Sequence, residues 1–301
     1  MMSNCIVCGV DPTPASGQAA AVAAHLGREL GCAPLLVHVD STHEGRGANG
    51  VASIAHAREL GRMRALADSH HFPDDTTAQV VSGDAADQLM HISRARDAQL
   101  IVVGSRGLRE LRGALLGSVS GDLMRNAPCP VVVVPPAAVA PSAAAGIRSI
   151  VCGVDGSGRD TQLLRLGADL SRRLGAELHA VHAYDSRPVY PGVAAVGPSV
   201  LPELRLAAEA TLERSLARAG VRARGAVTSQ PPASGLRQLA EERDAALILV
   251  APHRRGKLSS VLRGSATVQL SADGPVPVVV LPPGAELAAG SGHYELASEA
   301  A

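Results

Sequence analysis

The most informative stretch of the sequence is Leu100-Ile101-Val102-Val103-Gly104-Ser105-Arg106-Gly107, and Gly117-Ser118 follows after nine more residues. An amphipathic segment comes next, at 118–126. This order predicts a buried strand, a glycine-rich loop and a helix N-terminus. Glycine lets the backbone approach an anion closely and adopt φ > 0, and a helix start offers unpaired N–H groups at the positive end of its dipole. We therefore predict a phosphate-binding loop; a tight turn without a ligand is the alternative.

The chain contains the same pattern twice. Ile6-Val7-Cys8-Gly9-Val10-Asp11 recurs 144 residues later as Ile150-Val151-Cys152-Gly153-Val154-Asp155. The apolar run at 100–103 recurs 147 residues later at 247–250, and the valine-rich run at 129–135 recurs at 276–282. The repeat predicts two domains with a linker and a flexible tail. The predicted boundaries are 1–136 for the first domain, 137–147 for the linker, 148–284 for the second domain and 285–301 for the tail.

Each copy alternates short apolar runs with helical segments. Continuous apolar strands between helices predict a parallel sheet covered on both faces, which is a doubly wound α/β domain. Such domains bind ligands beyond the C-terminal ends of their strands. The predicted strands are 6–10, 35–39, 78–81, 100–103, 131–134, 150–154, 178–183, 222–227, 247–250 and 276–281. The predicted helices are 18–30, 55–68, 85–96, 118–125, 161–174, 203–219, 234–242 and 266–270.

The composition argues against nucleic-acid and membrane partners. Lysine plus arginine and aspartate plus glutamate are both 28, and only four residues are aromatic, so no nucleic-acid partner is predicted. The apolar runs are too short to span a membrane, and residues 1–9 do not form a secretory signal. Five cysteines, mostly inside apolar runs, are typical of a reducing compartment. We therefore predict a cytoplasmic protein without a membrane partner.

Motifs of catalysis and metal binding are missing from the sequence. It has no Gly-x-Ser-x-Gly, no Walker A lysine and no His-Glu-x-x-His pattern, so no catalytic or metal-binding residue is predicted. His38 and His182 are predicted to pack in the core. Arg106 is kept as a candidate phosphate contact, although solvated surface is the default for such an arginine. The basic cluster at 254–263 is predicted to be solvated; a second anion site is the alternative.

These patterns together resemble one family. Each copy is similar to a universal stress protein domain, and the whole chain resembles the tandem two-domain form of its ATP-binding branch. The signature G-2x-G-9x-G-[ST] of that branch is matched by Gly104, Gly107 and Gly117-Ser118. Further landmarks are Gly9-Val10-Asp11, Val37-His38-Val39 and the final proline-flanked valine run.

The resemblance implies an adenine nucleotide alpha hydrolase-like fold with strand order 3-2-1-4-5. It also implies ATP as the ligand, with Mg²⁺ possible on the phosphates. Asp11 would face the adenosine, the Val39 backbone would meet adenine, and Val119 would add a backbone N–H beside Ser118. The full predicted ligand set is Asp11, Thr13, Val39, Gly104, Arg106, Gly107, Gly117, Ser118, Val119 and Ser120.

Both copies depart from the family pattern. The first has Pro12 where the second keeps the family's glycine, Gly156. Proline fixes φ and lacks an N–H, so the two loops differ. The second copy has Ala251 and Arg254 at the positions of two signature glycines. We expect ATP to bind in the first copy only.

The resemblance favours a nucleotide-dependent stress-response regulator. Two alternatives stay open: a slow ATPase or phosphotransferase, for which Thr13, Ser118 and Ser120 are candidate phosphate acceptors, and a nucleotide-free dimeric scaffold. The last strand of each copy is a bare apolar edge in the implied sheet, and such edges invite pairing. We therefore expect the two last strands to pair within the chain, and two chains to form a homodimer through other surface.

Overall fold

The computed structural model describes residues 5–40, 50–105, 116–138, 146–184, 201–252, 265–285 and 287. Strands and helices alternate through these ranges, as predicted, and their ends differ from the predicted ends by a few residues. The strands are β1 (Cys5–Gly9), β2 (Ala33–Asp40), β3 (Thr77–Ser82), β4 (Leu100–Gly104), β5 (Val131–Val134), β6 (Ser149–Val154), β7 (Glu177–Ala183), β8 (Arg224–Thr228), β9 (Leu247–Val250) and β10 (Val278–Val280). The helices are α1 (Pro14–Leu30), α2 (Gly50–Ser69), α3 (Ala85–Ala95), α4 (Ser118–Asn126), α5 (Asp160–Leu174), α6 (Leu201–Ala219), α7 (Pro232–Glu242) and α8 (Ala266–Asp273).

Local sequence explains where the equivalent helices α1 and α5 end. Each is followed by a glycine in the left-handed region, Gly31 at φ 60° and Gly175 at φ 65°. Glycine adopts this conformation at little cost and is the usual residue just past a helix C-terminus. The same device therefore ends the first helix of both copies.

All ten strands form one sheet in the order β3-β2-β1-β4-β5-β10-β9-β6-β7-β8. Each half has the predicted order 3-2-1-4-5. Neighbouring strands are parallel throughout, except where β5 meets β10. Because that pair is antiparallel, the C-terminal ends of the two sets of strands lie at opposite edges of the sheet.

The predicted pairing of the last strands is confirmed. Val132 lies opposite Val279, with Val131 opposite Val280 and Val133 opposite Val278. Val279 is the repeat counterpart of Val132, 147 residues later, so a pseudo-twofold axis passes between these two residues. All seven valines of the two strands are at most 1% exposed. Full burial of one valine side chain contributes about 1.5–3 kcal/mol to the free energy of folding. The junction is therefore part of the apolar core.

Side chains on both faces of the sheet reinforce the junction. On one face Arg173 of α5 reaches the other copy and donates to the carbonyl of Leu30 at 3.1 Å and to Gln99 Oε1 at 2.7 Å. On the other face Ser271 of α8 lies 3.6 Å from the sulfur of Met124 in α4. Ser271 and Met124 are again repeat counterparts, which places them beside the same axis.

Two apolar cores cover the sheet. One is built by α1, α2, α5 and α6, and the other by α3, α4, α7 and α8. Each core draws residues from both copies. None of the helices in the described ranges is long and apolar enough to cross a membrane. Most of the linker predicted at 137–147 lies outside the described residues, as does the tail predicted at 285–301 apart from Ala285 and Leu287, so these boundaries remain predictions.

A charge in the valine junction tests its importance. Val132→Glu would bury a carboxylate without a partner at a fully buried position, which costs several kcal/mol. We expect the variant to separate the two copies or to aggregate, as measured by small-angle scattering and thermal melting. Ile54→Glu places the same charge on a side chain that is 71% exposed and should change neither measurement. A wild-type scattering profile and melting temperature for Val132→Glu would show that these strands do not hold the copies together.

Candidate functional site

A cleft of about 210 Å³ opens beyond the C-terminal ends of β1, β2 and β4. It lies where the strand order of the first copy changes direction, which is the usual ligand position in doubly wound sheets. One water occupies roughly 30 Å³ of liquid, so the cleft has room for a larger ligand. Seven residues of the predicted ligand set line it: Asp11, Val39, Gly104, Gly117, Ser118, Val119 and Ser120.

Three residues of the predicted set are not described as part of this wall. Thr13 sits behind Asp11 and does not contribute to the cleft wall. Arg106 and Gly107 lie outside the described residues, so their predicted roles stay predictions. The sequence analysis also missed several wall residues, which include Ser16, Ser105 and Leu89. No sequence signal marked Ser16 or Leu89, because their position depends on how α1 and α3 pack on the sheet. Ser105 stands inside the glycine motif, but it was not among the predicted ligand contacts.

The two ends of the glycine motif meet at the start of α4. Gly117 donates its N–H to the Ser105 carbonyl at 2.8 Å, and Ser120 Oγ donates to the same oxygen at 3.1 Å. Ser118 and Val119 are therefore held in the first helical turn at the cleft wall, where backbone N–H groups have no intrahelical acceptor. The arrangement presents a helix N-terminus, with its positive dipole end, to the cleft.

The structure contradicts one of the two reasons expected for the glycines, the positive φ. Neither Gly104 nor Gly117 has a positive φ, and Gly117 lies at φ −67°. The expectation of left-handed backbone is therefore wrong at both. Gly104 is needed for space instead, since a Cβ there would lie 3.2 Å from the Ala15 carbonyl oxygen and 3.3 Å from the Ala15 Cβ. The glycine lets β4 pass close to the start of α1.

A short hydrogen-bond network fixes Asp11 in the cleft. Its Oδ1 accepts from the Thr13 N–H at 3.0 Å, from Thr13 Oγ1 at 2.5 Å and from Ser16 Oγ at 2.9 Å. The Asp11 N–H donates to Ser16 Oγ at 2.6 Å. Thr13, predicted as a ligand contact, thus acts here by holding the carboxylate. The Pro12 loop reaches a fixed arrangement without the positive φ of 83° that Gly156 has in the second copy.

His38 also lines the cleft, so the prediction of a packed core histidine is wrong for this residue. Its Nδ1 lies 2.9 Å from the Val10 carbonyl oxygen and 3.4 Å from Glu59 Oε1. Both neighbours are acceptors, so we assign the ring proton to Nδ1. The remaining wall is apolar, with buried Val37, Leu89 and Val103.

The matching region of the second copy is built differently. Ala183, Ala251 and Pro252 stand where the first copy has Val39, Gly104 and Ser105. Arg254, at the position of Gly107, lies outside the described residues. The second copy has thus lost a signature glycine and a cleft-wall hydroxyl within the residues that the structure describes.

Helix α6 also packs against the first loop of the second copy. Asp160, the counterpart of Ser16, is buried and accepts from the Gly156 N–H at 2.9 Å and from Ser215 Oγ of α6 at 2.7 Å. A Cβ on Gly156 would lie only 2.9 Å from Thr211 of the same helix. Burial raises the pKa of the Asp160 carboxyl. The loop is therefore fixed to α6 by a buried carboxylate rather than by the serine network of the first copy.

The model of the Universal stress protein family matches residues 2–135 and 146–282, which is most of the chain. The chain belongs to the universal stress protein family. The two matches also place two domains of this family in one chain.

Curated members of the family support this result. Universal stress protein Rv1996 of Mycobacterium tuberculosis (strain ATCC 25618 / H37Rv) is 32% identical over 221 residues, which cover 68% of this chain and 64% of the relative. The match thus spans slightly less than two thirds of that relative. Universal stress protein Rv2623 of the same strain is 31% identical over 222 residues, with 69% of each chain covered.

The tandem universal stress protein fold recurs in a solved structure. A universal stress protein from Archaeoglobus fulgidus DSM 4304 has a TM-score of 0.64 and 19% sequence identity. The comparison covers 93% of this chain and 97% of that chain. At this identity the likeness shows the shared fold.

The buried carboxylate of the second domain predicts a measurable loss of stability. Asp160→Asn replaces one acceptor oxygen by an NH₂ group that faces donors, so we expect a loss of about 1–3 kcal/mol in the free energy of unfolding. Urea denaturation measures it. Asp155→Asn, at an exposed carboxylate in the same loop, is the matched control and should cost less. Equal losses for the two variants would contradict the assigned role of Asp160.

Proposed function

We propose that this protein is a cytoplasmic stress-response regulator that binds ATP in the cleft of its first domain and changes conformation with the nucleotide. The observation that carries the proposal is the cleft itself. It brings Asp11, Val39, Gly104 and the Gly117-Ser118 helix start together at the switch point of the sheet. The glycine signature is complete in this domain and eroded in the second.

The α4 end of the cleft suits phosphate. An anion at a helix N-terminus gains from the exposed N–H groups and from the dipole. Gly117 has no side chain to block the approach, and the hydrogen bond from its N–H to Ser105 fixes the loop ends. Together these features supply a preformed site for the charged end of a nucleotide.

The apolar part of the cleft suits a nucleoside. It is lined by Val37, Val39, Leu89 and Val103, which offer apolar surface to a flat ring. Asp11 provides a fixed carboxylate, and a carboxylate accepts hydrogen bonds from sugar hydroxyls. A ligand with a flat ring, a sugar and phosphates would match the apolar wall, the Asp11 carboxylate and the α4 N-terminus.

Mg²⁺ would enter with the phosphates rather than through a protein site. The described residues contain no group of three or more histidine, cysteine, aspartate or glutamate side chains able to hold a metal ion. Phosphate oxygens are common Mg²⁺ ligands, and the ion usually keeps several waters.

A direct hydrogen bond connects the cleft to the junction between the domains. The Ser105 N–H donates to the carbonyl of Val134 at 2.9 Å, and Val134 ends the strand that pairs with β10. A ligand shifts a conformational equilibrium only through unequal affinity for the two states. A nucleotide that moves Ser105 would act on β5 and so on the valine junction.

Hydrolysis or phosphotransfer is the second function to test. Thr13 and Ser120 both donate their hydroxyls within the protein, to Asp11 and to the carbonyls of Ser105 and Gly117. Of the three candidate phosphate acceptors, Ser118 therefore remains, and it lines the cleft at the start of α4. Multiple-turnover phosphate release would favour an enzyme; binding without turnover would favour the regulator. Dimerisation of the chain through other surface remains a prediction that light scattering can test.

The nucleotide stoichiometry and one loop variant test the proposal. Calorimetry with ATP should give one site per chain. Gly107→Val should weaken ATP binding by more than about a hundredfold, roughly 2.7 kcal/mol, because a β-branched side chain would occupy the phosphate space. Circular dichroism should show an unchanged fold.

The second domain offers a matched control. Arg254→Val changes the counterpart of Gly107 and should leave ATP affinity and stoichiometry unchanged. Two equal sites in the wild type, or none, would refute the proposal. Wild-type affinity for Gly107→Val would refute the assignment of this loop to the phosphates.

A further inference from the structure

Ser105 is a fully buried residue inside the glycine motif, and its hydroxyl has no visible role in the fold. Its side chain is 0% exposed. Its backbone is fully engaged, with the N–H on Val134 at 2.9 Å and the carbonyl accepting from Gly117 at 2.8 Å. Across the residues that the structure describes, Oγ has no hydrogen-bond partner. A buried hydroxyl without a partner costs about 1–3 kcal/mol, so such a group points to a missing partner.

The position of Ser105 directly after β4 turns its side chain toward the cleft. Side chains alternate between the two faces of a strand and its immediate extension. A Cβ on Gly104 would face Ala15 of α1, whereas Val103 packs in the opposite core with α3 and α4. Ser105 shares the face of Val103, the face from which Val37 and Leu89 also line the cleft.

Ser105 is also anchored to the anion-binding end of the cleft. Its carbonyl accepts from Gly117 and from Ser120 Oγ, and both donors belong to the start of α4. Ser105 is therefore held close to the helix N-terminus, where negative charge is favoured. The second domain has Pro252 at this position, which offers neither a hydroxyl nor an N–H.

We infer that the Ser105 hydroxyl is a phosphate-binding group, which donates a hydrogen bond to a phosphate oxygen of the nucleotide in the first cleft. The inference rests on the proposed function and adds a side-chain donor to the backbone groups of α4. It also gives a physical reason for a serine inside the glycine motif, because the ligand would supply the hydrogen-bond partner that Ser105 Oγ lacks in the described structure.

The test is Ser105→Ala, titrated with ATP and with adenosine. Loss of a hydrogen bond to a charged group should weaken ATP binding about tenfold or more, whereas adenosine, which has no phosphate, should bind as to the wild type. The ligand-free variant should melt at or above the wild-type temperature, because it loses an unpaired buried hydroxyl. Ser93→Ala is the matched control: Ser93 is 2% exposed, its Oγ likewise lacks a partner in the described structure, and it does not line the cleft.

Each other result overturns the inference in a distinguishable way. Unchanged ATP affinity, or equal weakening of ATP and adenosine, would show that the hydroxyl does not contact phosphate. A lower melting temperature of the ligand-free variant with unchanged ATP affinity would assign Ser105 a structural role. Failure of the wild-type protein to bind ATP or adenosine would overturn the proposed function itself, and this inference with it.

Discussion

The antiparallel pairing of β5 with β10 is the contact on which the rest of the structure depends. Each half alone would end in a short valine strand with unpaired backbone groups, which is an aggregation hazard. The pairing gives each of these strands a neighbour on its open side, and all seven valines of the two strands are at most 1% exposed. It also sets the symmetry, because Val132 and Val279 are repeat counterparts that lie opposite each other.

The same symmetry keeps the potential sites of the two domains apart. The antiparallel junction turns the C-terminal strand ends of the two halves to opposite edges of the sheet, so the two potential sites share no wall. Each could therefore change without disturbing the other. The first copy keeps a cleft held by Ser16 and Gly117, and the second replaces Ser16 by Asp160, which binds α6 instead.

The sequence predicted the elements and their order well, because continuous apolar runs such as 131–134 and 247–250, placed between helical segments, favour buried parallel strands. It marked Gly104 and Gly117, which the structure places in the cleft wall, whereas their contact with phosphate stays a prediction. It was wrong about a positive φ at these glycines, and it did not show the need for space at Gly104, which appears only after α1 has packed on β4. His38 was predicted to pack in the core and Ser105 was given no role, because their place in the cleft wall depends on burial and alternation rather than on the motifs in which they stand. Thr13 was assigned to the ligand, and the structure shows it holding Asp11.

The most direct test of the account is a crystal structure of the full chain with ATP and Mg²⁺. The account predicts one nucleotide, with its phosphates at Gly117-Ser118 and within hydrogen-bonding distance of Ser105 Oγ, and with its base against Val39. The region beyond β6 and β9 should hold none, and the Asp160–Ser215 hydrogen bond should persist. A nucleotide in the second domain, or one bound away from the α4 N-terminus, would contradict the claim that this sheet carries a single site in its first half.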